Sequence, residues 1–347
     1  MSADTHLVLL GTGTVARAFV ERHARLRAAG IAVPAIRAVA NSRGWQDCAG
    51  PQAVAPAFDQ LAASAAPRDA AWLADAQFAA GDVLVDASAS DALAERHATW
   101  LAAGADVVTA CKLGQGTGLA RWRAIRRAVA EGGGRYGDSA TVGAGLPLIR
   151  SIRELQAGGD RIHALAGVLS GSLAWLFNHY DGMRAFSGFV REARDAGYTE
   201  PDPRDDLSGE DVRRKIVILS RSAGIELEPG EVQVESLVPT ALAALPVAEL
   251  EAGLAQLDEP LRRRYAEAYR NDEVLKFIAR FQDGIARVGL EALPRSHPLA
   301  AGASTDNRLA IWSDRYAEQP LVIQGPGAGA EVTAAALIDD VLRLRRS

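Results

Sequence analysis

Cysteine is scarce in this chain of 347 residues, which holds only Cys48 and Cys111. Two thiols are too few for a disulfide framework, and no Cys or His stands at a spacing that suggests structural zinc, so a reducing cytoplasmic setting is expected. Long apolar runs are lacking as well. The run Leu7 to Leu10 is too short for a signal-peptide core, and no later stretch approaches the ~20 residues of a membrane span, so no membrane partner is expected. Positive charge is neither in excess nor gathered into a stripe: the formal net charge is −5. A phosphate backbone would meet no matching field, which excludes nucleic acid as a partner. Tandem repeats of fixed period and low-complexity tracts are absent.

What is present suits an enzyme. With 48% of its residues apolar, the chain can bury a large core and fill two domains, or one domain with a substantial lobe. The opening reads as a βα unit, with the strand Leu7 to Leu10, the turn Gly11-Thr12-Gly13 and a helix from about Thr14 to Ala29. Further strands are expected at Ile36 to Ala40, Asp82 to Ala87 and Asp106 to Ala110, with a helix over Ala92 to Ala103 between the last two. Strands alternating with helices predict an α/β fold, an N-terminal Rossmann doubly wound parallel sheet.

Glycine marks the end of that region. Glu131-Gly132-Gly133-Gly134 and the later Thr141 to Pro147 bracket a junction, and an α+β substrate domain follows. Helical patterns there cover Leu173 to Tyr180, Gly188 to Ala196 and Val212 to Ala223, and β-like runs cover Ala164 to Leu169 and Glu273 to Arg280. Near the end, Pro320 to Gln324, the glycines of 325–330 and a helix from about Glu331 to Leu344 repeat the opening strand–turn–helix pattern. The expected domains are 1–137 for the dinucleotide, 138–310 for substrate, catalysis and dimerisation, and 311–347 as a segment returning to the cofactor domain.

Gly11-Thr12-Gly13-Thr14-Val15-Ala16 fits the dinucleotide fingerprint. Its glycines let the backbone approach a pyrophosphate, and the amides of the helix start donate to it, so Gly11, Gly13, Thr14 and Val15 are cofactor candidates. A tight βα turn without a ligand is the bland alternative. Where an NAD site places an acid after its second strand, this chain has Asn41-Ser42-Arg43. A guanidinium at Arg43 suits a 2′-phosphate, so NADP is favoured, with NAD as the alternative and a surface arginine as the plain reading. Ser88, Thr109 and Lys112 stand at or just beyond the ends of strand candidates, at the carboxyl edge of the sheet, where open α/β folds bind ligands.

The densest polar stretch is Gly197 to Asp211. Pro201 and Pro203 are expected to forbid helix through its first half, leaving a stiff extended loop. Ser208 is then expected to cap a helix, with Asp211 in the acid position of a capping box and Val212, Ile216 and Leu219 as its buried stripe. Two bland readings apply. Asp211 and Lys215 could form an ordinary helix-surface ion pair, and the acids could form a metal loop, although no EF-hand periodicity supports calcium. The functional reading gives Glu200 and Asp206 a substrate ammonium group and gives Asp211 and Lys215 the reacting oxygen. An ammonium can stabilise and then protonate the oxyanion left by hydride transfer to an aldehyde. Cys111 raises a thioester chemistry as a rival, against which stands inert packing beside a strand.

Taken together these segments resemble homoserine dehydrogenase, over nearly the whole chain. The most specific stretch is GYTEPDPRDDLSGEDVRRK at Gly197 to Lys215, supported by ATVGAGLP at Ala140 to Pro147, LSGSL at Leu169 to Leu173 and GPGAGA at Gly325 to Ala330. Leu169 to Leu219 looks especially like the dehydrogenase half of the bifunctional aspartokinase–homoserine dehydrogenases. The resemblance implies reversible reduction of L-aspartate 4-semialdehyde to L-homoserine, in the branch toward threonine, methionine and isoleucine. It implies that Lys215 is the proton donor supported by Lys112, and that Glu200 and Asp211 bind the amino acid with Asp206 in the same pocket. It also implies that Gly197, Glu200 and Gly329 approach the cofactor. A monovalent cation such as Na+ on the main-chain carbonyls of Val142, Ala144 and Leu146 is a further implication, as is a homodimer. Two departures stand out: Ser139, after Asp138, occupies the place of the acid that completes the cation site, and Cys111 replaces the asparagine usual before the lysine. No appended regulatory module is expected. Kept open beside this are a dehydrogenase for another small amino-acid-like aldehyde or alcohol and a catalytically silent dinucleotide sensor.

Overall fold

The computed structural model describes residues 5–344. The chain divides into two units, one made of Met1–Gly145 with Ala328–Ser347 and the other of Leu146–Gly327.

The first unit begins with β1 (His6–Leu10), α1 (Thr14–Ala28), β2 (Ala35–Asn41), β3 (Gly44–Asp47) and α2 (Val54–Ala63). It continues with β4 (Asp82–Asp86), α3 (Asp91–Ala102), β5 (Asp106–Thr109), α4 (Leu119–Ala130) and β6 (Tyr136–Gly137). The sheet order is β3-β2-β1-β4-β5-β6, parallel throughout except for the β2–β3 hairpin. Leu7, Val8, Leu9 and Leu10 of β1 are all fully buried, because a central parallel strand is covered on both faces. From β1 the chain runs outward through β2 on one side and resumes at β4 on the other, so the strand order switches beside β1. Open α/β sheets bind ligands outside the carboxyl ends of the strands at such a switch.

Helices cover the two faces. Phe19 of α1 and Phe58 of α2 share one core with Leu337, Ile338 and Val341 of the C-terminal helix Ala330–Leu344. Leu93, Trp100 and Leu101 of α3 and Ile125 of α4 fill the other. Each large side chain so buried contributes about 1.5–3 kcal/mol.

The second unit runs through α5 (Leu148–Ala157), β7 (Ile162–Val168), α6 (Gly171–His179), α7 (Phe186–Asp195), α8 (Pro203–Leu207) and α9 (Glu210–Ser222). Then come β8 (Gln233–Val234), α10 (Thr240–Ala243), α11 (Leu250–Gly253), α12 (Asp258–Arg270), β9 (Glu273–Gln282), β10 (Ile285–Pro294), β11 (Asp306–Ser313) and β12 (Leu321–Pro326). Its sheet is ordered β12-β11-β7-β9-β10-β8, antiparallel except where β8 joins β10. The β9–β10 hairpin turns on Asp283 and Gly284, at φ 52° and 77°, the Asp-Gly chemistry that suits a two-residue turn.

Three expectations need correction. Pro320 to Ala330 is not a second βα unit, since β12 pairs antiparallel with β11 in the second sheet while the helix after it belongs to the first unit. Boundaries at 137 and 310 differ from the observed division. Ser139 is bonded to Asp340 of the C-terminal helix, which keeps 138–145 with the first unit, and the β11–β12 pairing keeps 311–327 with the second. The acidic segment is also not extended throughout, because Pro203 opens α8. Proline is tolerated at the first helical position, where its missing N–H has no partner to lose.

Candidate active site

In the first unit the glycine turn has the geometry its sequence calls for. Gly11 sits at φ 110°, and a Cβ there would come within 3.0 Å of the Ala87 carbonyl oxygen, so only glycine fits beside the end of β4. Gly13, by contrast, faces open space at the start of α1, and among the described residues no side chain caps that helix. Uncapped amides beside an open glycine suit an approaching pyrophosphate. Thr14 is exposed and Val15 half-buried. Asn41 braces the turn by donating through Nδ2 to Thr12 Oγ1 and to the Leu61 carbonyl, both at 3.0 Å. Its Oδ1 accepts the Arg43 N–H at 2.7 Å. Arg43 is half-buried in the β2–β3 turn, and its guanidinium enters no ion pair among the described residues.

Beyond β4 and β5 lies a closed network. Asp86 Oδ1 accepts from the N–H and hydroxyl of Ser88, at 3.0 and 2.6 Å. Asp86 Oδ2 meets His97 Nε2 at 3.1 Å, and His97 Nδ1 meets the Tyr136 hydroxyl at 3.0 Å. Thr109, fully buried, turns its hydroxyl on Asp86 and accepts the Cys111 N–H at 2.8 Å. That leaves its main chain as the part able to meet a ligand. Lys112 is half-buried in the turn that follows β5. Cys111 is buried, and burial, helped by the charge of Asp86, pushes its thiol up to about 12. A thiolate for thioester chemistry is therefore not available at ordinary pH.

The residues at the acid's place in the implied cation site do not fit that role. Ser139 donates both its N–H and its hydroxyl to Asp340, at 2.9 and 2.6 Å, and Asp138 accepts from Gln115. Val142 and Ala144 belong to the first unit and Leu146 to the second, where the Leu146 carbonyl accepts the Leu148 N–H at 2.8 Å. Gly329 is exposed at φ 129°, and its carbonyl accepts from the N–H and hydroxyl of Thr333, at 3.1 and 2.8 Å.

In the second unit the acidic segment resolves into separate parts. Gly197, at φ 75°, ends α7, and Glu200 is exposed. Asp202 caps α8 by accepting the Arg204 N–H at 3.0 Å. Asp206 therefore sits on a short helix rather than a loop. Its Oδ2 accepts the Glu200 N–H at 2.8 Å, and its Oδ1 accepts the Ser172 hydroxyl at 2.7 Å. Ser172 in turn lies 2.8 Å from the hydroxyl of Ser170, the residue that caps α6.

The expected capping box at Ser208 does not form. Ser208 donates to the Asp205 carbonyl at 2.7 Å, and α9 starts from Gly209 at φ 79°. A Cβ on Gly209 would stand 2.9 Å from the Phe277 ring, so the close packing of α9 on β9 requires glycine there. Freed from capping, Asp211 pairs with Lys215 at 2.8 Å. This is no surface pair, for Lys215 is only 9% exposed. Its ammonium donates at 2.7 Å to the carbonyl of Leu169, at the end of β7.

Sequence reading left two parts of this cluster unassigned. The Leu169 carbonyl is one, and it carried no side-chain signal. Asn307 on β11 is the other: it is buried and donates through Nδ2 to the same carbonyl at 3.2 Å. A lone amide on the buried face of a strand, in register with Leu309 and Ile311, was the available clue.

These are parts that an NAD(P)-dependent oxidoreductase acting on a CH–OH group would use. The chain belongs to the homoserine dehydrogenase family. The sequence model described as homoserine dehydrogenase matches residues 147–342, and that of the homoserine dehydrogenase NAD binding domain matches 11–136. A homoserine dehydrogenase from Emericella nidulans is 33% identical over 99% of both chains. The bifunctional aspartokinase/homoserine dehydrogenase 2 of Zea mays is 44% identical over 76% of this chain, which spans 29% of that longer protein. The fold is shared with a Candida auris protein of unknown function, at TM-score 0.85 and 32% identity over 99% and 98% of the two chains. Among the described residues no helix is long and apolar enough to cross a membrane.

Proposed function

We propose that the chain interconverts L-homoserine and L-aspartate 4-semialdehyde, with NADP preferred over NAD and Lys215 as the proton-handling group. One observation carries this reading: a buried lysine ammonium is held by a carbonyl at 2.7 Å and a carboxylate at 2.8 Å. An ammonium has three N–H donors, so one remains for a reacting oxygen. In reduction Lys215 stabilises the developing oxyanion and then protonates it; in oxidation its neutral amine takes the hydroxyl proton. Asp211 orients the ammonium. Glu200 and Asp206, linked through the Glu200 N–H, offer carboxylates to the amino-acid ammonium.

The first unit holds the dinucleotide through Gly11, Gly13, Thr14 and Val15, with Arg43 directed to a 2′-phosphate and Ser88, Thr109 and Lys112 lining the reactive end. Gly197, Glu200 and Gly329 complete the cofactor set. A nicotinamide dinucleotide held by these residues would supply or accept the hydride. A monovalent cation on the Val142, Ala144 and Leu146 carbonyls rests on the resemblance alone. So do the homodimer, the cytoplasmic location and the place in threonine, methionine and isoleucine synthesis.

The test is direct. Purified protein mixed with L-homoserine and NADP at alkaline pH should raise reduced-nicotinamide absorbance, more weakly with NAD. Turnover of other 2-amino alcohols in preference to homoserine would move the substrate assignment, and folded protein inert with both dinucleotides would sink it.

A further inference from the structure

Among the buried polar groups that this mechanism leaves unused, Asn307 is set apart by where it points. We propose that Asn307 is a positioning residue for Lys215, acting through the main-chain carbonyl of Leu169; this rests on the reading of Lys215 given above.

The ladder between β7 and β11 ends at the pair Val168 and Arg308. Leu169 is the next residue, opposite Asn307 and outside the regular pairing. Its carbonyl belongs to the turn that leads through Ser170 into α6, and no ladder bond sets its direction. The Asn307 amide supplies that constraint, donating through Nδ2 at 3.2 Å to the oxygen that Lys215 Nζ approaches at 2.7 Å. With the carbonyl pinned, the Lys215 ammonium has one fixed anchor from β7 and a second from Asp211 on its own helix.

The neighbourhood of Asn307 holds the amide in place. It is 1% exposed, and β12 runs alongside with Gly325 opposite it. A Cβ on Gly327 would fall 2.0 Å from Asn307 Cγ, so only a glycine allows the amide to lie where it does. Asn307 Oδ1 is buried without a hydrogen-bond partner among the described residues. An apolar side chain would spare the molecule that desolvated acceptor, so fold stability alone does not account for an amide here. What the amide adds is its donor.

Two variants remove that donor from its place by independent routes. Asn307→Leu deletes it in similar volume, and Gly327→Ala pushes the intact amide aside. Lys112, Lys215 and Lys276 are the only lysines in the chain, so competitive labelling of the full-length protein with acetic anhydride, read by mass spectrometry, reports each one. Lys215 should acylate several-fold faster in both variants, while Lys112 in the first unit and buried Lys276 in the second stay within error. With homoserine and NADP, kcat should fall about tenfold, since small misplacements of catalytic groups carry losses up to ~10²-fold. Both KM values should hold, the pattern of an interaction lost only in the transition state. Adding Asn307→Leu to Lys215→Ala should cost nothing further.

Unchanged Lys215 labelling in both folded variants overturns the proposal. So does a parallel rise at Lys276, because that reports a unit loosened as a whole. If the unaltered protein oxidises no homoserine, the proposed activity falls by itself and the labelling still decides the role of Asn307.

Discussion

Two of the chain's close acid–base pairs, one in each unit, differ in what surrounds them. Asp86 and His97 stand 3.1 Å apart, both side chains fully buried. Asp211 and Lys215 stand 2.8 Å apart, with side-chain exposures of 46% and 11%. In the first pair every heteroatom is used within the unit, by Ser88, Thr109 and Tyr136. In the second, an ammonium fixed by two acceptors keeps a donor in reserve, and its carboxylate partner reaches solvent. A closed polar network rigidifies a loop, whereas an open one can exchange a proton with a substrate. On the proposed function, similar separations serve architecture in one place and chemistry in the other.

The hardest strain on this contrast comes from removing its open member. Lys215→Ala should lower turnover by about 10²–10⁴-fold, the usual worth of a positioned general acid–base group. NADP binding should persist, measured by quenching of intrinsic fluorescence. The thermal midpoint should hold or rise, because a buried ammonium carries a desolvation cost that its deletion lifts. Turnover within tenfold of the unaltered protein would dissolve the distinction between the two pairs.

The closed pair should show the reverse signature. His97→Leu strips Asp86 of one partner while the carboxylate stays buried, a change that costs about 2–4 kcal/mol by analogy with broken buried networks. A Cβ on Gly114 would meet the Tyr136 hydroxyl at 2.6 Å and His97 Nδ1 at 3.0 Å, so the turn carrying Lys112 lies directly on this network. Denaturant melting should show the loss of stability, while turnover per folded molecule drops only a few-fold. A collapse of kcat with unchanged stability would make His97 part of the chemistry instead.

The same contrast governs what the sequence revealed. The first sheet was legible because its parallel strands are nearly continuous apolar runs and its turns carry glycines that sterics demand, as at Gly11. β10 and β11 escaped notice because Arg287, Glu291 and Arg308 interrupt their patterns with polar residues on the outward faces. Lys215 and Asp211 could be named from spacing four apart on one helix. Asn307 could not, since its partner is a main-chain oxygen 138 positions away and an oxygen carries no letter. The capping box failed for a tertiary reason, with Gly209 pressed against Phe277 overriding a local motif.

The smallest effect belongs to Cys111, packed beside the closed network. Its thiol, pushed up to about 12 by burial first and by the Asp86 charge second, stays neutral through the working range. Cys111 should then resist iodoacetamide in the native protein and react fully once denatured. Cys48 is half-buried and its thiol is also raised, again by burial first, so it should react slowly and ahead of Cys111. Cys111→Ala trims a small side chain from beside the closed network without touching a hydrogen bond of Asp86, and kcat should stay within about twofold. A larger loss, or native alkylation of Cys111 that abolishes turnover, would show that the sealed side of the comparison is open to the reaction after all.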